Sequence, residues 1–234
     1  TRKGGVSPHP WTTLNLGGTV GDDRANVVEN RRRIYQVMNR EVESIFDVWQ
    51  VHSADVICTD TPRPLDALHS KGDAILTNNP EITLFMRFAD CVPILLYDPV
   101  RRVIGVVHAG WQGTVKKVVQ RSVIKMTQQY GSMTGDIYAG IGPSIGPDHY
   151  QIGDDVIQQV RAGFGRDAPK VLLQNNGSTH LDLWRANAIL LEQAGVKHIE
   201  IANLCTACDT ERWYSHRAEQ GKTGRFGAII ALAS

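Results

Sequence analysis

Residues 82–113 read ITLFMRFADCVPILLYDPVRRVIGVVHAGWQG, and this stretch decides the fold. Two runs of aliphatic and β-branched residues, 92–97 and 103–108, flank the Asp98-Pro99 turn, which folds them back on one another as a hairpin. Cys91 stands at the start of the first run and His108 at the end of the second, so the hairpin brings them together. Side chains directly opposed across such a ladder lie within about 5 Å. A thiol and an imidazole distant in sequence are therefore expected as neighbours in space.

Upstream, residues 46–51 read as another strand followed at once by His52, and the period of two puts Gln50 and His52 on one face. Downstream, His108 runs into Ala109-Gly110-Trp111-Gln112-Gly113, a strand-to-loop exit whose glycines permit close backbone approach. Three strand-end groups, His52, Cys91 and His108, can then converge. Two imidazoles and a thiolate leave one position open in a tetrahedral zinc shell, the ligand count of a catalytic site. Such an ion lowers the pKa of a water in that position toward about 7. Copper takes the same donors, but a blue-copper centre needs an axial Met, and Met86 and Met126 are poorly placed for that. The plainer reading is a small core cysteine and two histidines satisfied by backbone carbonyls, since no metal motif of fixed spacing is met.

Elsewhere, helices are expected over 26–44, 114–130, 154–164 and 182–194, the last opening on an Asp cap and closing before Gly195. Further strands are expected over 74–76, 83–88, 135–139, 198–203 and 227–232. Clustered strands among long helices predict an α+β fold. Without repeats, low-complexity tracts or Pro/Ser-rich linkers, one domain over 1–234 is expected. With 25 basic against 24 acidic side chains, the net charge of +1 offers no nucleic-acid footprint. The longest apolar runs, 91–97 and 229–233, fall far short of the roughly 20 residues that cross a bilayer, so no membrane span is expected. Four cysteines in 234 residues are too few for a disulfide scaffold. No apolar signal stretch follows the first residues, although the missing initiator Met leaves room for a removed segment; a cytoplasmic location is expected.

The blocks QVHSADV around His52, ADCVPILLYDP around Cys91 and VVHAGWQGT around His108 resemble, in order, the signature blocks of the YfiH-like laccase-domain family, also called multicopper polyphenol oxidase-like proteins. TRKGGVS, LNLGGTVGDD, YAGIGPSIG and CTACDTERWYSHRAEQGKTGR extend the resemblance over essentially the whole chain. It implies a YfiH-like fold of mixed β-sheets flanked by helices, with zinc bound by His52, Cys91 and His108. It also implies purine nucleosides and phosphate as partners. The reactions implied are phosphorolysis of adenosine, inosine, guanosine and methylthioadenosine to base and ribose 1-phosphate, together with adenosine deamination. Copper-dependent oxidation of phenols and peptidoglycan editing are other activities ascribed to members. One departure stands at Asp148-His149, where many relatives carry cysteine after the IGP turn, so a role of that cysteine does not carry over.

Phosphorolysis must hold a phosphate dianion beside C1′ of the ribose and stabilise an oxocarbenium-like sugar, which calls for arginine and positioned polar contacts. Arg217, Lys222 and Arg225 crowd the C-terminal block, and Arg2 adds another cation. Arg217 and Arg2 are the candidates for the anionic part of the ligand and Asn15 for a ribose contact, against the plain reading of a solvated basic loop. Asp90 and His216 are candidate proton carriers for deamination. In a regular strand Asp90 points away from Cys91, so a bulge is needed if both act. Trp111, beside His108, is the aromatic best placed to stack on a purine.

Two patterns are set aside. His198-Ile-Glu200 with Cys205-Thr-Ala-Cys208 mimics the ligand pair of nucleobase deaminases, but only four residues separate Glu200 from Cys205. A single CxxC is a weak zinc signal, so a redox or structural role is expected for this pair. IGPSIGP has neither P-loop nor dinucleotide spacing and reads as a rigid turn flanking the site. A cysteine hydrolase with Cys91 as nucleophile and His108 as base needs only two of the three groups. A non-catalytic zinc module needs a fourth protein ligand. Both stay open, as do monomer and homodimer.

Overall fold

The computed structural model describes residues 1–233. Along the chain run helix α1 (Arg24–Val37), strands β1 (Ile45–Phe46), β2 (Val56–Cys58), β3 (Ala74–Thr77), β4 (Thr83–Phe88), β5 (Val92–Asp98) and β6 (Val103–Ala109), and helices α2 (Trp111–Val115) and α3 (Val118–Tyr130). Strand β7 (Tyr138–Ile141), helix α4 (Asp154–Phe164), strands β8 (Leu172–Asn175) and β9 (Ser178–Leu181), helix α5 (Leu183–Gln193), and strands β10 (His198–Ile201) and β11 (Phe226–Ala231) follow. Six strands form a mixed sheet in the order β10-β7-β5-β6-β3-β2. β1-β4-β11 form a second sheet, and β8-β9 a hairpin of their own. The β5–β6 ladder runs from Val92↔Ala109 to Asp98↔Val103. Its turn is held by the N–H groups of Val100 and Arg101, which donate to Asp98 Oδ1 at 2.8 and 3.0 Å.

Alternation along the strands builds the layers. From β6, Val103, Val107 and Ala109 face helices α3 and α5, whereas Ile104 and Val106 face the smaller sheet. β4 sends Leu84, Met86 and Phe88 into that same interior and Phe85 to its other side, where Tyr35 of α1 covers it. The result is mixed sheets flanked by helices, in agreement with the α+β expectation. Helix α3 covers the large sheet with Val118, Val119, Ser122, Val123 and Met126, a stripe of helical period. Ile94 and Leu96 at the sheet centre are fully buried, and cutting either to Ala costs about 2–5 kcal/mol.

Helices α4 and α5 stand where periodicity put them, with the Asp182 carboxylate accepting from Arg185 N–H at 2.9 Å as an N-cap. Other boundaries move. The helix expected over 26–44 ends at Val37, because Asn39 turns left-handed (φ 51°) and the chain tightens into a 3-10 turn at Val42–Ser44. The helix expected over 114–130 is split by Lys117 at φ 66°. Of the strand expected over 46–51 only Phe46 lies in a strand, β1; beyond it Trp49 makes a lone bridge to Lys71 and the chain leaves the sheet. The strand expected over 135–139 starts at Tyr138, since Thr134–Asp136 form a 3-10 turn. Strand β2 and the β8-β9 hairpin carry half-buried or exposed residues on β2 and β8, so no apolar alternation marks them in the sequence. Among the described residues, no helix is long and apolar enough to cross a membrane.

Candidate metal centre

His108 lies near the end of β6, on the face turned toward the smaller sheet, its ring 5.4 Å from that of Phe88. The ladder pairs Val92 with Ala109 and Pro93 with His108. Cys91 is therefore on the diagonal of the same face, not directly opposite His108, and this still leaves side chains within reach. His52 comes from a loop rather than a strand end. Its φ of 57° turns the chain sharply, and the N–H groups of Val51, His52 and Ser53 all donate to the Asp73 carboxylate, at 3.2, 3.1 and 2.6 Å.

Asp73 is fully buried and also bonds His108 Nδ1 at 2.8 Å. One carboxylate thus places two histidines, His52 through its backbone and His108 through its ring. With Nδ1–H donating to Asp73, His108 turns Nε2 toward the cluster. His52 Nε2 lies 3.9 Å from Cys91 Sγ, and donor atoms of His52, Cys91 and His108 all fall within 4.8 Å of one another. Gly110 makes the room: a Cβ there would sit 2.9 Å from Cys91 Sγ and 3.2 Å from His52 Cδ2.

Burial alone pushes the Cys91 thiol up, but the charge and hydrogen bonds of His108 and His52 outweigh it and hold it at about 6. Burial disfavours a charged His108, yet the Cys91 thiolate and the Asp73 hydrogen bond raise it to about 9. Burial likewise works against the Asp73 carboxylate, and donors from His108 and Ser53 bring it down to about 2. A thiolate at neutral pH is the form that ligates metal or attacks as a nucleophile. Two nitrogens and one sulfur fit a borderline divalent ion, and among the described residues no further His, Cys, Asp or Glu closes the group.

The sequence matches the family described as multi-copper polyphenol oxidoreductase laccase over residues 1–233. The chain belongs to this laccase family. Its relatives include the purine nucleoside phosphorylase YlmD of Bacillus subtilis, 38% identical over 99% of this chain and 86% of that one. A purine nucleoside phosphorylase of Deinococcus radiodurans is 40% identical over 99% of this chain and 87% of its own. The crystal structure of the hypothetical protein YfiH from Bacillus licheniformis matches with a TM-score of 0.95 at 34% identity, covering 100% of this chain and 91% of that one. The crystal structure of YlmD from Geobacillus stearothermophilus gives the same TM-score and identity, with 100% and 90% covered.

Around the cluster of this laccase-family chain, Asp90 takes a left-handed conformation (φ 78°) that stands in for the expected bulge. Both its oxygens are engaged, by Thr206 Oγ1 at 2.7 Å and Arg217 N–H at 2.6 Å, so Asp90 ties the C-terminal segment down beside Cys91. The Arg217 guanidinium lies 5.0 Å from the centre of the Tyr150 ring and donates to Gln151 O at 2.9 Å.

Arg2 and Asn15 stand outside the cluster. Arg2 donates to Glu219 at 2.9 Å and to the carbonyls of Thr12 and Thr210, above the Tyr214 ring. Asn15 is fully buried, and its amide serves Gly17, Asp22 and the Arg225 N–H. These bonds staple the N-terminal loops to the C-terminal segment. His216 is exposed against Gly221, and Trp111 packs into the helix-side core, on the other face of the sheet from His108.

Asp73 and Tyr150 carried no sequence signal, because a lone Asp before a strand looks like a turn residue and a lone Tyr like core. Half-buried Arg225 feels the charges of Cys91 and Asp90, which puts this cation beside the site. A second group of donors gathers elsewhere: Asp148, His149, Cys205 and Cys208, again within 4.8 Å of one another.

Proposed function

We propose that this chain is a zinc-dependent purine nucleoside phosphorylase acting at His52, Cys91 and His108. Its substrates are adenosine, inosine, guanosine and methylthioadenosine with phosphate, and adenosine deamination accompanies phosphorolysis. The observation that carries this reading is the convergence of three donors around an unclosed side, in a chain whose relatives bear the phosphorylase name. A divalent ion held by His52, Cys91 and His108 would supply Lewis acidity there.

The chain's own residues supply the rest. Asp73 fixes the His108 ring and the 51–53 loop before any ligand arrives, so the donors are preorganised. Arg217 and Arg225 provide the positive charge that a phosphate dianion requires. Asp90, locked between Thr206 and the Arg217 N–H, keeps that arginine next to Cys91. In phosphorolysis a phosphate oxygen bonds to C1′ as the bond from C1′ to the purine nitrogen breaks. The electron pair leaves with the purine, which takes up a proton.

The test is adenosine given to purified protein with and without phosphate, before and after chelation. Adenine release is expected to require phosphate, to stop on metal removal and to return with zinc; inosine formed without phosphate reports deamination separately. Adenine release that needs no phosphate and survives chelation overturns the reading. A cysteine hydrolase is the second reading, favoured by a Cys91 thiol held at about 6 beside an imidazole raised to about 9. His52→Ala separates the two, since it removes a ligand in the first and spares nucleophile and base in the second.

A further inference from the structure

The loops that follow β7 and β10 lie side by side, because these strands are parallel neighbours in register from His198↔Tyr138 to Ile201↔Ile141. The loops stay paired beyond the sheet. Ser144 N–H donates to Leu204 O at 3.1 Å and Thr206 N–H to Ser144 O at 3.0 Å. This pairing sets Asp148 and His149 of one loop against the CxxC of the other, where Cys205 and Cys208 are free thiols. His149 Nδ1 is 3.1 Å from Asp148 Oδ2, 3.5 Å from Cys208 Sγ and 3.7 Å from Cys205 Sγ, and Cys208 Sγ is 3.5 Å from Asp148 Oδ2.

We propose that Asp148, His149, Cys205 and Cys208 hold a second zinc ion in a closed shell of four protein ligands. Bonds of about 2.3 Å to sulfur and about 2.0–2.2 Å to nitrogen or oxygen give tetrahedral edges of about 3.3–3.8 Å. Three of the four separations fall in that range, and the fourth, His149 to Asp148, lies just under it. Two sulfurs with one imidazole select zinc over the hard ions magnesium and calcium. The Gly146 N–H donates to Cys205 Sγ at 3.1 Å, the outer support that a thiolate ligand takes. Gly146 is the one residue that fits there: a Cβ would meet Asp148 Oδ1 at 2.7 Å and Cys205 Cβ at 3.1 Å. An adjoining cavity of about 480 Å³, lined by Pro147, Trp184 and Trp213 among others, gives the ion a way in.

The role is architectural. Between the two cysteines, Thr206 holds Asp90 Oδ1 at 2.7 Å; from the other loop, Ile145 N–H donates to Asp90 O at 3.0 Å. The second ion therefore clamps the two loops that brace Asp90, the residue before Cys91, without touching the first cluster. Asp148, His149, Cys205 and Cys208 are positioning residues in this scheme.

The experiment is zinc content per chain, by mass spectrometry of protein purified under reducing conditions. Two equivalents are expected for the unaltered chain, one for Cys91→Ser and one for Cys205→Ser/Cys208→Ser. Cobalt(II) loaded into Cys91→Ser should show the intense visible bands of a tetrahedral thiolate site, and His149→Ala in that background, a milder change for folding, should weaken them. A folded Cys91→Ser that binds neither zinc nor cobalt overturns the proposal, as does a Cys205–Cys208 disulfide in place of the ion. Failure of the first site gives the opposite pattern: Cys91→Ser keeps all its zinc and the CxxC variant loses all of it.

Discussion

The two donor clusters of this chain are finished in different ways. His52 comes from a loop and Cys91 and His108 from the two arms of one hairpin; they meet where the two sheets face each other, and a buried carboxylate supports one imidazole. Asp148, His149, Cys205 and Cys208 come from two surface loops, three of the four are exposed, and a backbone amide supports one sulfur. Both use histidine and cysteine, so donor type does not tell them apart. Donor number and support do: three donors leave a side for a ligand, whereas four close the shell.

The sharpest way to break this contrast is to remove a donor from each cluster. Cys91→Ala is expected to lower phosphorolysis by more than the about 10–100-fold typical of supporting residues, because a ligand itself is lost. Retention of near-normal kcat/KM with adenosine and phosphate would place the chemistry elsewhere. Asp73→Asn should fall within that 10–100-fold range in zinc affinity or kcat/KM, since the donors remain and only their orientation suffers.

Asp73 also gives a pH signature. Its folded pKa of about 2 lies below the unfolded value, so its stabilisation is present above about pH 4 and is lost as pH falls through about 2. Acid unfolding followed by circular dichroism should therefore be shallower for Asp73→Asn across that window.

At the second cluster the expected effect is on stability. Zinc at a hundredfold excess over Kd contributes about 2.7 kcal/mol, and a chain of this size shifts about 2–4 °C per kcal/mol. Cys208→Ser should therefore lower the zinc-saturated Tm by roughly 5–10 °C while changing kcat/KM far less than Cys91→Ala does. An unchanged Tm would remove the architectural half of the comparison.

How legible each cluster was in the sequence follows from the range of the contacts that build it. Cys91 and His108 belong to one hairpin, so a turn signal and two apolar runs sufficed to bring them together, although the register puts them on a diagonal. His52 was expected for a reason the structure replaces: not the period of a strand, but a left-handed residue whose neighbouring amides converge on Asp73. Nothing local announces that carboxylate, which lies 21 residues further on. The CxxC was visible by spacing, but its partner His149 arrives through the parallel pairing of β7 with β10, a contact 56 residues long. Helices α4 and α5 were readable because their apolar period runs unbroken to the ends. The break at Lys117 was not, because a lysine in the left-handed region has no sequence signature. Arg2 was expected as a cation for the anionic part of the ligand and Asn15 as a ribose contact, and in the structure their bonds join the two ends of the chain.

The smallest effect concerns the metal-free first cluster and asks which histidine dominates the sulfur. The Cys91 pKa lies below its unfolded value, so its contribution to stability is present at high pH and is lost as pH falls through about 6. The His108 pKa lies above its unfolded value, so its contribution is present at low pH and is lost as pH rises through about 9. Thiolate and imidazolium therefore coexist between about 6 and about 9, and the metal-free protein should be destabilised on either side of that interval. Thiolate absorbance followed against pH should show a midpoint near 6. His108→Ala should move that midpoint up further than His52→Ala, because the His108 charge acts on Cys91 more strongly than that of His52. A larger shift from His52→Ala would make the loop histidine the principal partner of the sulfur and would strip Asp73 of its leading role in the open cluster.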